Sequence, residues 1–405
     1  MAARMKTFVF CALILPVVIC GCGGAASTAS ASEDTPHDGA EKIIGYVFHP
    51  HARTLNPTPT LLQLLRAPDG FTVDVFVRDL KKARMMAVAD DGAVYLTRPD
   101  EGDVLRIVYG QEPTTVVSGL GGVHGIALHD GRLYLATTKE VIAADLKADG
   151  SVGERRVIIN DLPDAGQHGH RTVGFGPDGM LYISIGSDCN ACSEPDDTHA
   201  VILRAHADGS GREVFAKGLR NTMGFAWHPQ THQLWGMDQG SDWMGNDEPP
   251  EELNRIEEHG DYGWPLVWGD RQINRVFSRP DLNTKQYSQT TVPSVLAYQA
   301  HSAPIAMIFY TGAQFPPDYR NDAFVAFHGS WNRSPASGYK VARIHFENGQ
   351  PQRFEDFLTG FLVDNGKVQV GRVAGLAVMK DGSLLVSDDS NGVIYRVRYR
   401  AENRS

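Results

Sequence analysis

Followed by its alternation of apolar and polar positions, the chain is a series of short strand pairs. An apolar alternating run, a turn built on Asp-Gly or a relative of it, and a second alternating run recur along the chain. They stand at Met86 (MAVADDGAVYLTR), Ile126 (IALHDGRLYLATT), Val173 (VGFGPDGMLYISIGS), Phe225 (FAWHPQTHQLWGMDQ) and Leu376 (LAVMKDGSLLVSDD). This is the pattern of β-hairpins. A looser copy begins at Ile308 (IFYTGAQFPPDYRNDAFVAFHGSW). A further strand-like run follows each hairpin, such as VLRIVYG, VIAADLKA, AVILRAHADG, YKVARIHF and GVIYRVRYR. Six such units, spaced by roughly 40 to 80 residues, predict an all-β fold, a six-bladed β-propeller with loop insertions. The stretch Gly70 to Leu80, GFTVDVFVRDL, is predicted to pair with the C-terminal strands, because an open ring leaves a bare strand edge. The longest gap, Gln239 to Ser302, falls between blades four and five. Long loops gather on one face of a propeller, so functional groups are expected there.

The N-terminus does not share this pattern. Arg4 and Lys6 precede an apolar run, Thr7 to Cys20, which is short for a membrane span and has the form of an export signal. The run ends Ile19-Cys20-Gly21-Cys22, which resembles a bacterial lipobox and makes Cys22 the candidate lipidation site. Residues 23–40 are small and polar and have the composition of a flexible tether. The expected division is a signal peptide at 1–21, a tether and N-terminal extension at 22–66, and a propeller domain at 67–400. The expected location is extracytoplasmic, in the periplasm, with the membrane touched only through a lipid anchor.

Charge and cysteines narrow the chemistry. Removing residues 1–21 takes away two basic residues and no acidic ones, so the formal charge of −10 becomes −12. A chain this acidic is a poor partner for phosphate backbones, which excludes nucleic acid as an expected ligand. Beyond the signal and Cys22 only Cys189 and Cys192 remain, as C-N-A-C, and Ser193 follows them, so this is no haem-attachment motif. In an oxidising compartment the pair is expected to form a local disulfide. A dithiol redox centre lacks βαβ context, and a zinc site lacks a second pair of ligands.

Three groups of residues between Gly166 and Asp270 could carry chemistry. His168 and His170 offer imidazoles, the usual general bases near neutral pH. Arg220 and Asn221 offer donors suited to a polyanionic ligand. Asp238, Asp242, Asp247, Glu248, Glu251 and Glu252 form a carboxylate-rich stretch of the kind that holds calcium, although the EF-hand pattern is absent. Dinucleotide, P-loop and serine-hydrolase motifs are also absent.

The motifs H-x-H-R-T-x-x-F-G-P-D-G-x-L-Y, G-L-R-N-x-x-G-F-A-W, D-E-P-P-E-E-L-N and Y-G-W-P, in this order and spacing, resemble the soluble PQQ-dependent glucose/sorbosone dehydrogenases. The resemblance runs from about Ala67 to Val397. It implies oxidation of a sugar or polyol with PQQ and Ca2+, hydride passing to the quinone and electrons to an external acceptor, a cytochrome or a quinone. It implies His168 as the base, with His170 a rival because Gly169 separates two histidines. Arg220, Asn221, Gln239, Arg333, Arg372 and Asp388 are the cofactor contacts it carries over. It places one calcium on the carbonyls of Gly240 and Ser241, and a second on Glu251, Glu252 and the Tyr262 carbonyl. Ala374 stands where the glucose-oxidising branch has an arginine, which suits the sorbosone type, and Ser187 stands where that branch has an aspartate. Two other functions fit a propeller of this kind: a calcium-dependent sugar-lactone hydrolase, and a carbohydrate- or protein-binding module without chemistry.

Overall fold

Within the hairpin at Val173, the run Leu181–Ile185 is buried at every position. The same holds for Ala323–Phe327 and Leu384–Asp388. Alternation alone predicts one wet face. These strands have none, because each is the second strand of a blade and lies between the apolar faces of the blades on either side. The computed structural model describes residues 51–52, 59–164 and 166–400, all within one compact unit, Thr35–Ser405.

Six sheets make the propeller, each built on four antiparallel strands; blade three adds a fifth short strand, Gly260–Asp261, paired parallel with Glu213–Lys217. Blades one to five run in chain order, with innermost strands Met86–Val88, Gly125–His129, Thr172–Phe175, Gly224–Trp227 and Pro304–Phe309. Blade six takes three strands from the C-terminus, Val373–Val378, Leu384–Asp388 and Val393–Tyr399. Its fourth is Phe71–Val77, paired antiparallel with Val393–Tyr399 in the register Phe71↔Tyr399 and Val73↔Val397. The predicted ring closure is therefore present. It joins the two ends of the domain and removes the free edge an open ring would expose.

The core lies between blades. Leu96 and Leu105 of blade one meet Leu385 and Ile394 of blade six. Tyr182 and Phe215 of blade three meet Phe225 and Ile256 of blade four. Trp235, Met237 and Leu253 of blade four meet Phe309 and Val325 of blade five. Near the axis the backbones approach closely: a Cβ on Gly375 would stand 2.2 Å from the Arg84 carbonyl oxygen, so only glycine fits there.

Two boundaries differ from expectation. The long Gln239–Ser302 stretch does not simply separate blades four and five. It contains the third and fourth strands of blade four, Glu251–Ile256 and Leu296–Tyr298. Glu251 and Glu252 thus sit on a strand and not in a solvated acidic loop. The folded domain also begins before Ala67. A short helix, Pro59–Leu64, places Leu61 and then Leu65 in the core, at 0% and 6% exposure. Residues 1–50, with the signal and Cys22, lie outside the described residues. Among the described residues no helix is long and apolar enough to cross a membrane.

Candidate active site

The candidate residues come from equivalent places in successive blades. Some stand just before an innermost strand: His168 and His170, Arg220 and Asn221, His301 and Ala303, and Arg372. Others stand just after a second strand: Gln239, Gly240 and Asp242, and then His328, Trp331 and Asn332. One rim of the propeller collects all of them. They line a single cavity of about 280 Å3, a little below the usual size of small-molecule sites. His301 and Ala303 adopt left-handed backbone conformations, φ 63° and 54°. These are strained for residues with a side chain and recur at functional sites.

His168 is held by one neighbour. Its Nδ1 lies 2.9 Å from the Ser187 carbonyl oxygen and 3.0 Å from Ser187 Oγ. A carbonyl only accepts, so Nδ1 carries the proton and Nε2 keeps the lone pair. Burial, and then the Arg220 guanidinium, lower the imidazole to about 3. It is a neutral base at physiological pH. Gly186 makes this possible, because a Cβ there would lie 2.4 Å from His168 Cβ and 2.6 Å from Asn221 Oδ1. His170 also lines the cavity, but its ring stacks on buried His124 at 4.5 Å, and burial lowers it to about 4. The two histidines are both present, and they differ in that His168 has a fixed tautomer.

Arg220 and Asn221 are set by Asp238. Its carboxylate accepts from the Arg220 and Asn221 backbone N–H groups at 2.9 and 2.8 Å and from the Thr222 hydroxyl at 2.7 Å. The Arg220 side chain is 3% exposed. Its Nε donates to the Asn190 carbonyl at 3.0 Å, and one terminal nitrogen donates to Asn190 Oδ1 and to Asp242, each at 3.0 Å. Asn221 Nδ2 donates to Gln239 Oε1 at 3.0 Å, and Gln239 donates in turn to the Pro304 carbonyl.

The two glutamates expected to share a metal are separated. Neighbours on a strand point to opposite faces. Glu251 lines the large cavity, where it accepts from the Gly240 and Ala303 N–H groups at 3.1 and 2.8 Å. Glu252 lines a second, smaller cavity of about 10 Å3, with Ser241, Asp238, Tyr262, Trp264 and Trp268. Burial raises Glu251 to about 8 and Glu252 to about 7, the latter with help from Asp238, itself raised to about 6 by burial. Buried carboxyls of this kind are oxygen donors suited to a hard cation. Gly240 borders both cavities. Trp264 donates from Nε1 to Ser241 Oγ at 3.1 Å and so braces this wall.

On the far wall, Arg372 donates from Nε to the His328 carbonyl and from a terminal nitrogen to the Gly329 carbonyl. Among the described residues it forms no ion pair with a carboxylate, and burial depresses its ionisation. Asp388 stands behind it, accepting from the Arg372 backbone N–H at 3.0 Å and from Tyr395. It does not line the cavity. Nor does Arg333, which binds the Asn246 and Pro335 carbonyls and Asp247 and ties two loops together. Cys189 and Cys192 form the expected disulfide.

Sequence patterns did not reveal a cluster beside Arg372. Asp389 accepts from Arg84 at 2.6 Å and lies 3.0 Å from His328 Nε2. Burial pushes this carboxyl up, but His328 and Arg84 outweigh it and hold it far below the usual range. The ring closure is what brings Arg84, at the entry to blade one, against Asp389 of blade six. Asn190 and Asn332 were missed as well. Asn332 donates to Asp242 at 2.7 Å while its Oδ1 stays buried with no partner. His328 and Asn332 sit inside the motif HGSWNR, and that was the available signal.

Fold and site together define a six-bladed propeller with a rim cavity lined by both cationic and acidic side chains. The TrAA12-like family model matches residues 65–400, and the chain belongs to this family. It is 31% identical over 354 residues to an uncharacterized protein of Borreliella burgdorferi, covering 83% of this chain and 91% of that one. Among solved structures it superposes on the calcium structure of a Trichoderma reesei carbohydrate-active enzyme of family AA12, with a TM-score of 0.74 and 20% identity, over 86% of this chain and 98% of the other. It also superposes on the holo form of the pyranose dehydrogenase PQQ domain from Coprinopsis cinerea, with a TM-score of 0.71 and 19% identity, over 87% and 100%. At these identities the likenesses establish the fold.

Proposed function

We propose that this chain is a PQQ- and Ca2+-dependent sugar dehydrogenase. The observation that carries the reading is Arg372, a half-buried cation on the cavity wall with no carboxylate paired to it among the described residues. A polyanionic ligand supplies the missing charge. The donor set fits a tricarboxylate quinone: Arg372 and Arg220 for carboxylates, and Asn221 and Asn332 for further polar atoms. Gly240, Ser241 and Glu251 offer oxygens for one Ca2+, and Glu252 with the Tyr262 carbonyl offers them for a second. The family and the Coprinopsis and Trichoderma folds support the same pair of cofactors.

PQQ, when bound, supplies the two-electron acceptor that takes the hydride. His168 serves as the base, its Nε2 accepting the hydroxyl proton as hydride leaves the same carbon. Ser187 keeps that nitrogen unprotonated. Trp331, packed edge-to-face on Trp243 at 5.1 Å, gives the cavity an aromatic wall for a sugar ring. Ala374 is fully buried with Met223 and Ile305, so the arginine of the glucose-oxidising branch has no counterpart there. This supports a sorbosone-type sugar over glucose. Electrons pass on to an external cytochrome or quinone. We place the protein in the periplasm, lipidated at Cys22 after removal of residues 1–21.

The test is reconstitution. Chelator-stripped protein is given PQQ with Ca2+, and dye reduction is followed with aldoses, alditols and osones. Activity that needs both additions supports the assignment. Absence of PQQ binding at micromolar concentration overturns it, and leaves the lactonase and the binding module to be tested.

A further inference from the structure

We propose that the four-residue disulfide loop Cys189–Cys192 is a positioning element for the cavity, in which Asn190 aims the Arg220 guanidinium at the cofactor. The inference rests on the dehydrogenase reading and names the residue that organises its cationic wall.

Asn190 does not line the cavity, yet two residues that do, Arg220 and Asp242, bond it directly, and a third, His168, is tied to its loop through Ser187. Arg220 makes a two-pronged contact with this one residue: Nε to the backbone carbonyl and a terminal nitrogen to Oδ1, both at 3.0 Å. Two parallel bonds fix the plane of a guanidinium as well as its position. Asp242 takes a second proton of the same terminal nitrogen. Among the described residues the other terminal nitrogen, Nη1, has no protein partner. It is the edge left for a ligand.

The same loop braces the metal-side wall. Asn190 Oδ1 accepts from the Asp242 N–H at 2.6 Å, and Asn190 Nδ2 donates to the Asp242 carbonyl at 3.1 Å. The Asn190 carbonyl also accepts from Ser241 Oγ at 3.2 Å. It reaches the base too. Ser187 Oγ donates to the Cys189 carbonyl at 2.6 Å, which turns the hydroxyl lone pair toward His168 Nδ1.

Asn190 therefore uses its carbonyl, its amide oxygen and its amide nitrogen at once. That requires a backbone held in one orientation. The Asn-Ala segment has no regular strand pairing to hold it, and the covalent closure of Cys189 on Cys192 restricts its conformations. The disulfide thus belongs to the site and is more than a general staple.

The test measures PQQ affinity by titrating chelator-stripped protein with PQQ at fixed Ca2+, without turnover. Asn190→Ala keeps the disulfide and removes the side-chain prong. Cys189→Ser with Cys192→Ser removes the closure. Each is expected to weaken PQQ binding by about tenfold or more, the range for a hydrogen bond to a charged group. In an Arg220→Ala background, Asn190→Ala is expected to add little, because its effect passes through Arg220. Melting temperatures verify that each variant is folded. Wild-type affinity in Asn190→Ala overturns the inference. So does an equal loss with and without Arg220, which marks general loosening. If the double serine variant does not fold, the Asn190 and Arg220 cycle still decides. Failure of the wild-type protein to bind PQQ removes the dehydrogenase reading and this inference with it, whereas wild-type binding with an unaffected cycle removes only the inference.

Discussion

His168 Nδ1 is 2.9 Å from the carbonyl oxygen of Ser187 and 3.0 Å from the hydroxyl of the same residue. One neighbour thus orients the ring twice, once through the backbone and once through the side chain. The backbone contact survives any substitution of the side chain. His168→Ala is expected to lower turnover by about 10²- to 10⁴-fold, the usual range for a lost general base. Ser187→Ala is expected to cost less than about tenfold, the size of one neutral hydrogen bond. A comparison of kcat/KM for the two variants and for His170→Ala checks the order. A loss in His170→Ala as large as that in His168→Ala would assign the base to the wrong histidine.

The ionisation of His168 gives a separate prediction. A base works only when unprotonated, and burial with Arg220 nearby lowers this one to about 3. The acid limb of kcat/KM is therefore expected well below the ordinary histidine value of about 6.5. Activity should stay level as pH falls from 7 to about 5, unless another group or the fold fails first. A limb near 6.5, with the protein still folded by circular dichroism, would mean that the base is solvated.

Arg372 leads to a prediction about binding. Its guanidinium lies on carbonyl oxygens, with no carboxylate paired to it among the described residues. Arg372→Gln keeps polar atoms in place and removes the charge. PQQ affinity is expected to fall by roughly tenfold to a hundredfold, the range for charge-assisted bonds, with little change in melting temperature of the unliganded protein. Isothermal titration reads both the affinity and its weakening with salt. Arg333→Gln is the contrast: Arg333 ties loops together outside the cavity, so its loss should lower thermal stability more than PQQ affinity.

How much of this the sequence disclosed depends on the range of the interactions. Blades were legible because a hairpin is local: alternation and a turn residue within about fifteen positions determine it. Ring closure was legible because an unpaired edge demands a partner. His168, Arg220 and Arg372 came from family motifs. What escaped was contact between distant segments. Asp389 and Arg84 are 305 positions apart and meet only when blade six docks on blade one. Glu251 and Glu252 were grouped because they are adjacent, and the strand that carries them turns them to opposite faces. Asn190, between two paired cysteines, meets Arg220 only across 30 positions of chain, and no local pattern marks that contact.

Glu251, Glu252 and Asp238 make stability depend on pH. Burial raises their native ionisation to about 8, 7 and 6, above the unfolded values near 4. The native state then binds more protons than the unfolded one between those limits. By linkage, their contribution is complete below about pH 4 and is lost as pH rises through 6 to 8. Other carboxylates shift oppositely, Asp389 among them, so the observable is a difference. In chelator, the melting temperature is expected to decline between pH 6 and 8.5. Added Ca2+ should flatten or reverse that decline, since a bound cation favours the ionised carboxylates. An identical slope with and without Ca2+ would count against metal at these glutamates.

The start of the folded domain can be tested through two leucines. Leu61 and Leu65 are 0% and 6% exposed and pack into the cluster that contains Phe315, Phe357 and Phe361. Phe71 of the closing strand reaches the same place, edge-on to Phe315 at 4.8 Å and to Phe357 at 5.2 Å. Arg66 continues the contact through paired backbone bonds with Thr359, each at 2.9 Å. The segment before the closing strand is thus seated on blades five and six and helps hold that strand in register. Leu61→Ala is expected to cost about 2–5 kcal/mol, the range for a buried leucine. A chain beginning at Ala67 loses both leucines and the Arg66 bridge, and should unfold at lower denaturant than one that includes residues 59–66. Equal midpoints for the two chains would return the boundary to Ala67, and would show that the closing strand needs only its partner Val393–Tyr399.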